Sequence, residues 1–191
     1  MKALKGTRTE KNLLAAFAGE SQARNRYGFF AGKARKEGFM QIADAFLETA
    51  EQEKEHAKRL FMFLEGGDVE LVAAFPAGVV GATEANLLAS AAGENHEHTQ
   101  MYPAFVKTAN EEGFAEAAAV MQAIAAAEAY HEKRFLAFAK NIKEGRVFVR
   151  EQSLTWRCRN CGCTQDGKNA PEACPACAHP KAYFEVACLI W

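Results

Sequence analysis

Two stretches of the chain share one stepping of inward positions. Ile42, Phe46, Thr49, Glu53, His56, Leu60 and Phe63 follow at intervals alternating between four and three residues, and Ala117, Met121, Ile124, Glu128, His131, Phe135 and Phe138 repeat those steps. Alternating threes and fours trace one face of an α-helix. Each series therefore predicts an inward stripe, broken at its middle by a Glu-x-x-His pair. Two further faces, Leu13, Phe17, Glu20, Tyr27 and Leu87, Ala91, Glu94, Met101, carry a single glutamate each. The expectation is four long helices at roughly 10–33, 39–65, 83–110 and 114–142.

Glycine turns at Glu37-Gly38 and Glu112-Gly113 join the helices into two antiparallel hairpins. The segment from Gly66-Gly67 to Gly81 is long and apolar and contains Pro76, which suits a crossover running the length of a bundle. After Asn141 comes a short charged linker with a β-like Arg146-Val-Phe-Val149 run. From Trp156 the helical period is gone and Gly, Pro and Cys dominate, so a second, metal-stapled unit is expected. The domains are drawn at residues 1–145 and 153–191.

The halves of the bundle are copies. Ala-Gly-Glu20 and Ala-Gly-Glu94 are 74 residues apart, whereas Glu53-Lys-Glu-His56 and Glu128-Ala-Tyr-His131 are 75 apart. Lys-Glu-Gly-Phe39 parallels Glu-Glu-Gly-Phe114, and Lys58-Arg59-Leu60 parallels Lys133-Arg134-Phe135. With 21 Glu and five His in the chain, about half of one Glu-x-x-His match arises by chance, and a single match is more often a surface pair. A copied surface pair has no reason to coincide twice with the core stripe and with a partner glutamate.

Buried carboxylates are costly unless paired or bound to metal, and Arg24 is the one cation near these stripes. Four glutamates and two imidazoles without a thiolate point to a dinuclear centre of iron or manganese. Glu97 shares the face of Glu94 but has Ala23 as its counterpart, so it is an addition to the symmetric set. Tyr27 and Tyr102 fall about two turns beyond Glu20 and Glu94, within reach of a ligand carboxylate. His96 and His98 have no counterparts and are expected to be exposed.

All six cysteines lie after residue 157. Cys158-Arg-Asn-Cys161 and Cys174-Pro-Ala-Cys177 form a tetrathiolate pattern around one metal. Spacing alone does not separate zinc from iron. A nearby redox-metal site that needs electrons favours iron, as do Trp156, Tyr183, Phe184 and Trp191 as a small aromatic core. Cys163 and Cys188 are left over, as small packing residues. Net charge is -1, and residues 151–191 balance their charges, so a phosphate-binding surface is not expected and a zinc-ribbon nucleic-acid module is disfavoured. The start lacks the apolar core of a signal peptide and no apolar run is long enough for a membrane span, so a cytoplasmic protein is expected, in which Cys-x-x-Cys pairs favour metal over disulfide.

A duplicated Glu-x-x-His bundle with the added Glu97, followed by Cys-Arg-Asn-Cys-Gly and Cys-Pro-Ala-Cys, resembles the rubrerythrin family over essentially the whole chain. The resemblance implies a mainly α protein: a ferritin-like four-helix bundle with a long crossover, followed by a small rubredoxin-like β and loop domain. It implies a non-haem di-iron peroxidase that reduces hydrogen peroxide to water and protects against oxidative stress, fed by one iron in the four-cysteine site. Glu20, Glu53, Glu94, Glu97, Glu128 and His131 would be the di-iron ligands, with His56 replacing Glu97 on one iron upon reduction. Cys163 departs from the pattern, standing where rubredoxin-type domains usually have an aromatic. No Gly-x-Gly-x-x-Gly is present, so electrons must come from an external donor protein such as a rubredoxin or a flavoprotein reductase. A head-to-tail homodimer is also implied. The rival reading is a ferritin-like ferroxidase or iron-handling protein, in which the cysteine domain would be superfluous.

Overall fold

The computed structural model describes residues 3–188. Helix α1 spans Arg8–Lys36 and α2 Met40–Phe61; α3 (Thr83–His96) runs through a π-helical turn (Glu97–Met101) into α4 (Tyr102–Glu111), and α5 spans Ala115–Lys143. Each start and stop has a local cause. Thr7 caps α1 by accepting from the backbone N–H of Glu10, whose carboxylate reaches back to the N–H of Gly6 at 2.7 Å. Both hairpins turn in the same way: Gly38 and Gly113 take φ values of 83° and 81°, and the N–H groups of Phe39 and Phe114 bond back to Ala34 and Ala109. A Cβ is unfavourable at such a φ, which is why glycine closes each helix.

The expected third helix is one rod with a fault in it. The N–H of Tyr102 bonds to the carbonyl of Glu97, five residues back instead of four. Here the extra residue that separates an offset of 74 from one of 75 is absorbed. Glu94 and Tyr102, eight apart, keep the inward facing that Glu20 and Tyr27 achieve seven apart. Pro103, which has no N–H to give, follows directly. The second helix ends at Phe61, short of the expected 65, and from Gly66 to Ala82 the crossover has no regular structure and is largely exposed. Gln22 holds it by donating to the carbonyl of Pro76 at 2.8 Å.

Two apolar clusters fill the bundle, one around Tyr27, Phe30, Ile42, Phe46, Leu87 and Phe135, the other around Leu13, Leu60, Tyr102, Met121 and Ile124. Every long rod passes from one to the other at its glutamate: Glu20 lies between Ala16 and Ala23, Glu53 between Ala50 and Leu60, Glu94 between Ala91 and Tyr102, and Glu128 between Ala125 and Phe135. The carboxylates thus form a polar layer closed above and below by hydrocarbon.

Beyond α5, Gly145 turns the chain at φ 63° into a small sheet of order β2-β1-β3, with β1 Val149–Cys158, β2 Thr164–Asn169 and β3 Phe184–Val186, all antiparallel. The β-like run therefore enters the strand only at its last residue, Val149. Trp156 and Phe184 pack with Cys158, Cys174 and Ala170 in a separate core, and Tyr183 lies against it; Trp191 lies outside the described residues. This unit sits on the end of its own bundle. Arg159 reaches Asp44 of α2 at 2.7 Å, Phe148 stacks on Phe39 with centroids 6.3 Å apart, and Ala182 approaches Gly38. Among the described residues no helix is long and apolar enough to cross a membrane.

Candidate metal centre

The helix faces anticipated from the stripes bring six side chains into one layer. Ligand atoms of Glu20, Glu53, His56 and Glu128 gather within 4.8 Å of one another, as do those of Glu53, Glu94, Glu128 and His131. Each group takes three residues from one hairpin and one from the other, and Glu53 and Glu128 belong to both. His56 Nδ1 lies 2.9 Å from Glu53 and 3.0 Å from Glu128; His131 Nδ1 lies 2.8 Å from Glu128, 3.1 Å from Glu53 and 3.6 Å from Glu94. The pseudo-twofold relation of the repeat is therefore present at atomic level.

The layer fits a pair of divalent ions. One oxygen each of Glu20, Glu53 and Glu94, both oxygens of Glu128 and Nδ1 of His131 are buried without a hydrogen-bond partner. Carboxylate oxygens left without a partner in such a concentration call for a cation. Arg24 does not supply it: its side chain is 43% exposed and pairs with Glu51 at 3.5 Å. The remaining oxygens of Glu20 and Glu94 are held across the repeat. Tyr27 of α1 donates to Glu94 of α3, and Tyr102 of α4 donates to Glu20 of α1. Both phenols are held protonated, because burial first, and then the carboxylate each one faces, push their pKa well above the usual range.

Glu97, the first residue of the π turn, is partly buried beside the layer but outside both groups, whereas His56 is inside one. Burial and the charges of Glu94, Glu128 and Glu53 raise the Glu97 carboxyl well above its ordinary value. His96 is exposed as expected. His98 is not: it is half-buried and pairs with Glu132 at 2.7 Å. Sequence periodicity also gave no sign of Gln52, whose Oε1 lies 3.0 Å from His131 Nε2. Nor did it single out Arg134, whose guanidinium, 14% exposed, binds Thr49, the Ala45 carbonyl and Glu48.

In the small domain, Cys158, Cys161, Cys174 and Cys177 also gather within 4.8 Å. Cys158 and Cys177 sulfurs are 3.8 Å apart and those of Cys161 and Cys174 3.6 Å. A tetrahedron of thiolates at about 2.3 Å from a metal has edges of about 3.8 Å, so the cage has the right size. The knuckles are built alike: Gly162 at φ 78° bonds to the Cys158 carbonyl, and Ala178 at φ 60° bonds to that of Cys174. The backbone N–H of His179 draws the Cys177 thiol down to about 6, toward the thiolate a metal needs. Cys163 lies against this core and Cys188 is exposed.

The rubrerythrin family model matches residues 11–139, and the model described as the rubrerythrin, rubredoxin-like domain matches residues 156–185. The chain belongs to the rubrerythrin family. It is 68% identical to a rubrerythrin of Nitratidesulfovibrio vulgaris over 191 residues, covering 100% of both chains, and 61% identical to one of Porphyromonas gingivalis, covering 96% of this chain and 92% of that one. It is also similar to a solved nigerythrin in its fully reduced, all-ferrous state, with 32% identity, a TM-score of 0.63 and coverage of 97% and 92%. The bundle carries the glutamate and histidine set of a di-iron site, and the C-terminal unit carries the four-cysteine site of a rubredoxin-like domain.

Protons and metal compete for the bundle site. Burial raises Glu94 to about 8, so between 4.5 and 8 the metal-free fold binds a proton that the unfolded chain has released, and stability falls as pH rises through that window. Burial alone would lower the histidines, but Glu128 and Glu53 hold His56 at about 10 and His131 at about 12; their contribution is complete below about 6.5 and is lost as pH rises through those values. Burial likewise opposes the drop of Glu53, which the two histidines hold at about 2, below this window. Both trends run the same way. We expect the metal-free protein's urea midpoint to fall between pH 5 and pH 8, while the added stability from bound Mn(II) or Zn(II) grows, with proton release on titration. A metal-free protein more stable at pH 8 than at pH 5 would contradict this assignment.

Proposed function

We propose that the chain is a di-iron peroxidase that reduces hydrogen peroxide to two waters, taking up two electrons and two protons, with electrons relayed from an external donor protein through the rubredoxin-type iron site. The observation that carries the reading is the pairing, in one chain, of two metal positions sharing Glu53 and Glu128 with a four-thiolate cage. When bound, a ferrous pair supplies two electrons and the Lewis acidity that eases cleavage of the O–O bond. The residues do the rest. Tyr27 and Tyr102 fix the carboxylates of Glu94 and Glu20, and the apolar clusters on either side exclude bulk water. Glu97 and His56 would trade places as ligands, the carboxylate matching the higher ferric charge and the imidazole the ferrous. The placing of His56 inside the cluster and Glu97 beside it supports the reduced arrangement.

The assembly we propose is a head-to-tail homodimer. Asp44, where Arg159 docks, is nine residues before Glu53 on the same helix, or about 14 Å at 1.5 Å per residue. A partner's cysteine domain laid on the flank of the bundle would come nearer the carboxylate layer than the chain's own domain on its end.

Three measurements test these readings. Anaerobically reduced protein mixed with peroxide should reoxidise at least about tenfold faster than with dioxygen; the reverse order favours the ferroxidase reading. His131→Ala should lose metal in every oxidation state and His56→Ala mainly when reduced, so equal loss in ferric preparations would sink the exchange. A mixed dimer pairing a chain that lacks Cys158 and Cys161 with one carrying Glu128→Ala should retain one competent pair. An inactive mixture with verified subunit exchange rejects transfer between subunits.

A further inference from the structure

The site departs from its own twofold symmetry at a position that the exchange of His56 and Glu97 leaves unexplained. Gln52 Oε1 lies 3.0 Å from Nε2 of His131. An amide oxygen only accepts, so Nε2 carries a proton and Nδ1 is the nitrogen turned to Glu128, Glu53 and Glu94. The offset of 75 residues that carries His56 onto His131 carries Gln52 onto Ala127. Gln52 and Ala127 are both half-buried, as the repeat requires. A methyl group accepts nothing, and among the described residues His56 Nε2 has no hydrogen bond. The His56 side chain is also the more exposed of the two, 17% against 3% for His131.

We propose that Gln52 is the positioning residue that makes His131 a permanent ligand, and that alanine at the equivalent position 127 leaves His56 free to enter and leave the site. An imidazole whose second nitrogen is anchored keeps both its tautomer and its ring plane, whereas one without an anchor pivots about its side-chain torsions. The other break in the symmetry, Glu97 opposite Ala23, supplies the carboxylate that trades with the unanchored ring. The proposal rests on the exchange reading above. It adds what that reading lacks, a reason why one of two equivalent histidines moves and the other does not.

The test uses the full-length zinc-loaded protein, where the diamagnetic ion stands in for ferrous iron and the ring N–H groups are visible by ¹⁵N NMR. The wild type should show a protected Nε2–H on His131 and none on His56. Gln52→Ala should lose that protection and weaken zinc binding about 10- to 100-fold, whereas Gln52→Glu, which still accepts, should retain both. Ala127→Gln should create a protected Nε2–H on His56. The proposal is overturned if Gln52→Ala leaves the His131 signal and zinc affinity unchanged. It is equally overturned if Gln52→Glu loses zinc as fully as Gln52→Ala, since packing and not the acceptor would then be what matters. Failure of the exchange itself reads out elsewhere, as equal ferric metal loss in His56→Ala and His131→Ala, and would remove the role given to Ala127 while the NMR result decides that of Gln52.

Discussion

Four carboxylates held out of water in one layer set the terms for everything else in the bundle. Glu20, Glu53, Glu94 and Glu128 are each 1% exposed or less, and the cost of burying unpaired charge of this kind exceeds the whole net stability of a domain. The two histidines offset part of it. The remaining acceptors on all four glutamates are left to cations. The same apolar clusters that make the layer expensive without metal favour holding metal, because low polarity strengthens each carboxylate–ion contact and keeps competing water away.

Much of this was readable from spacing, because helical periodicity and metal ligation both work through faces. A stripe in steps of three and four shows which side chains point inward, and its interruption by Glu-x-x-His twice shows where the polar layer must be. Cys-x-x-Cys pairs are legible for a similar reason, since a knuckle is a local structure. Periodicity is silent on what lies across the gap. Tyr27 and Tyr102 were within reach of a carboxylate by spacing, but each serves the glutamate of the opposite half, which only the docking of the hairpins decides. Arg24 sat close to a stripe and turned outward; His98, expected in solvent, found Glu132 on a neighbouring helix. The one-residue difference between the two repeat offsets was visible as arithmetic, yet its form, a single bond made five residues back, belongs to the backbone.

The cysteine unit shows a second limit. Its own fold follows from two knuckles and a three-stranded sheet, but its seat on the bundle depends on Arg159, lodged between two ligand cysteines, finding Asp44 on α2, which also binds Arg35. Glu185 holds both Arg157 and Arg159 from the strand side. The residue that lies in the knuckle also fixes the domain's place, so the thiolate cage and its docking surface share a support.

The crossover from Gly66 to Ala82 is bare of regular structure, and the architecture explains why it can be. Each hairpin is a local product of its own glycine turn, and both candidate metal positions of the bundle draw on both hairpins. Ions held there would therefore rivet together two halves that the chain itself joins only slackly. A tether in that situation has to reach and little more, and lengthening it costs only about 0.6 kcal/mol per doubling. Its outer surface, where Val72, Val79 and Val80 face solvent, takes no part in joining the two halves, which keep their registration through the centre.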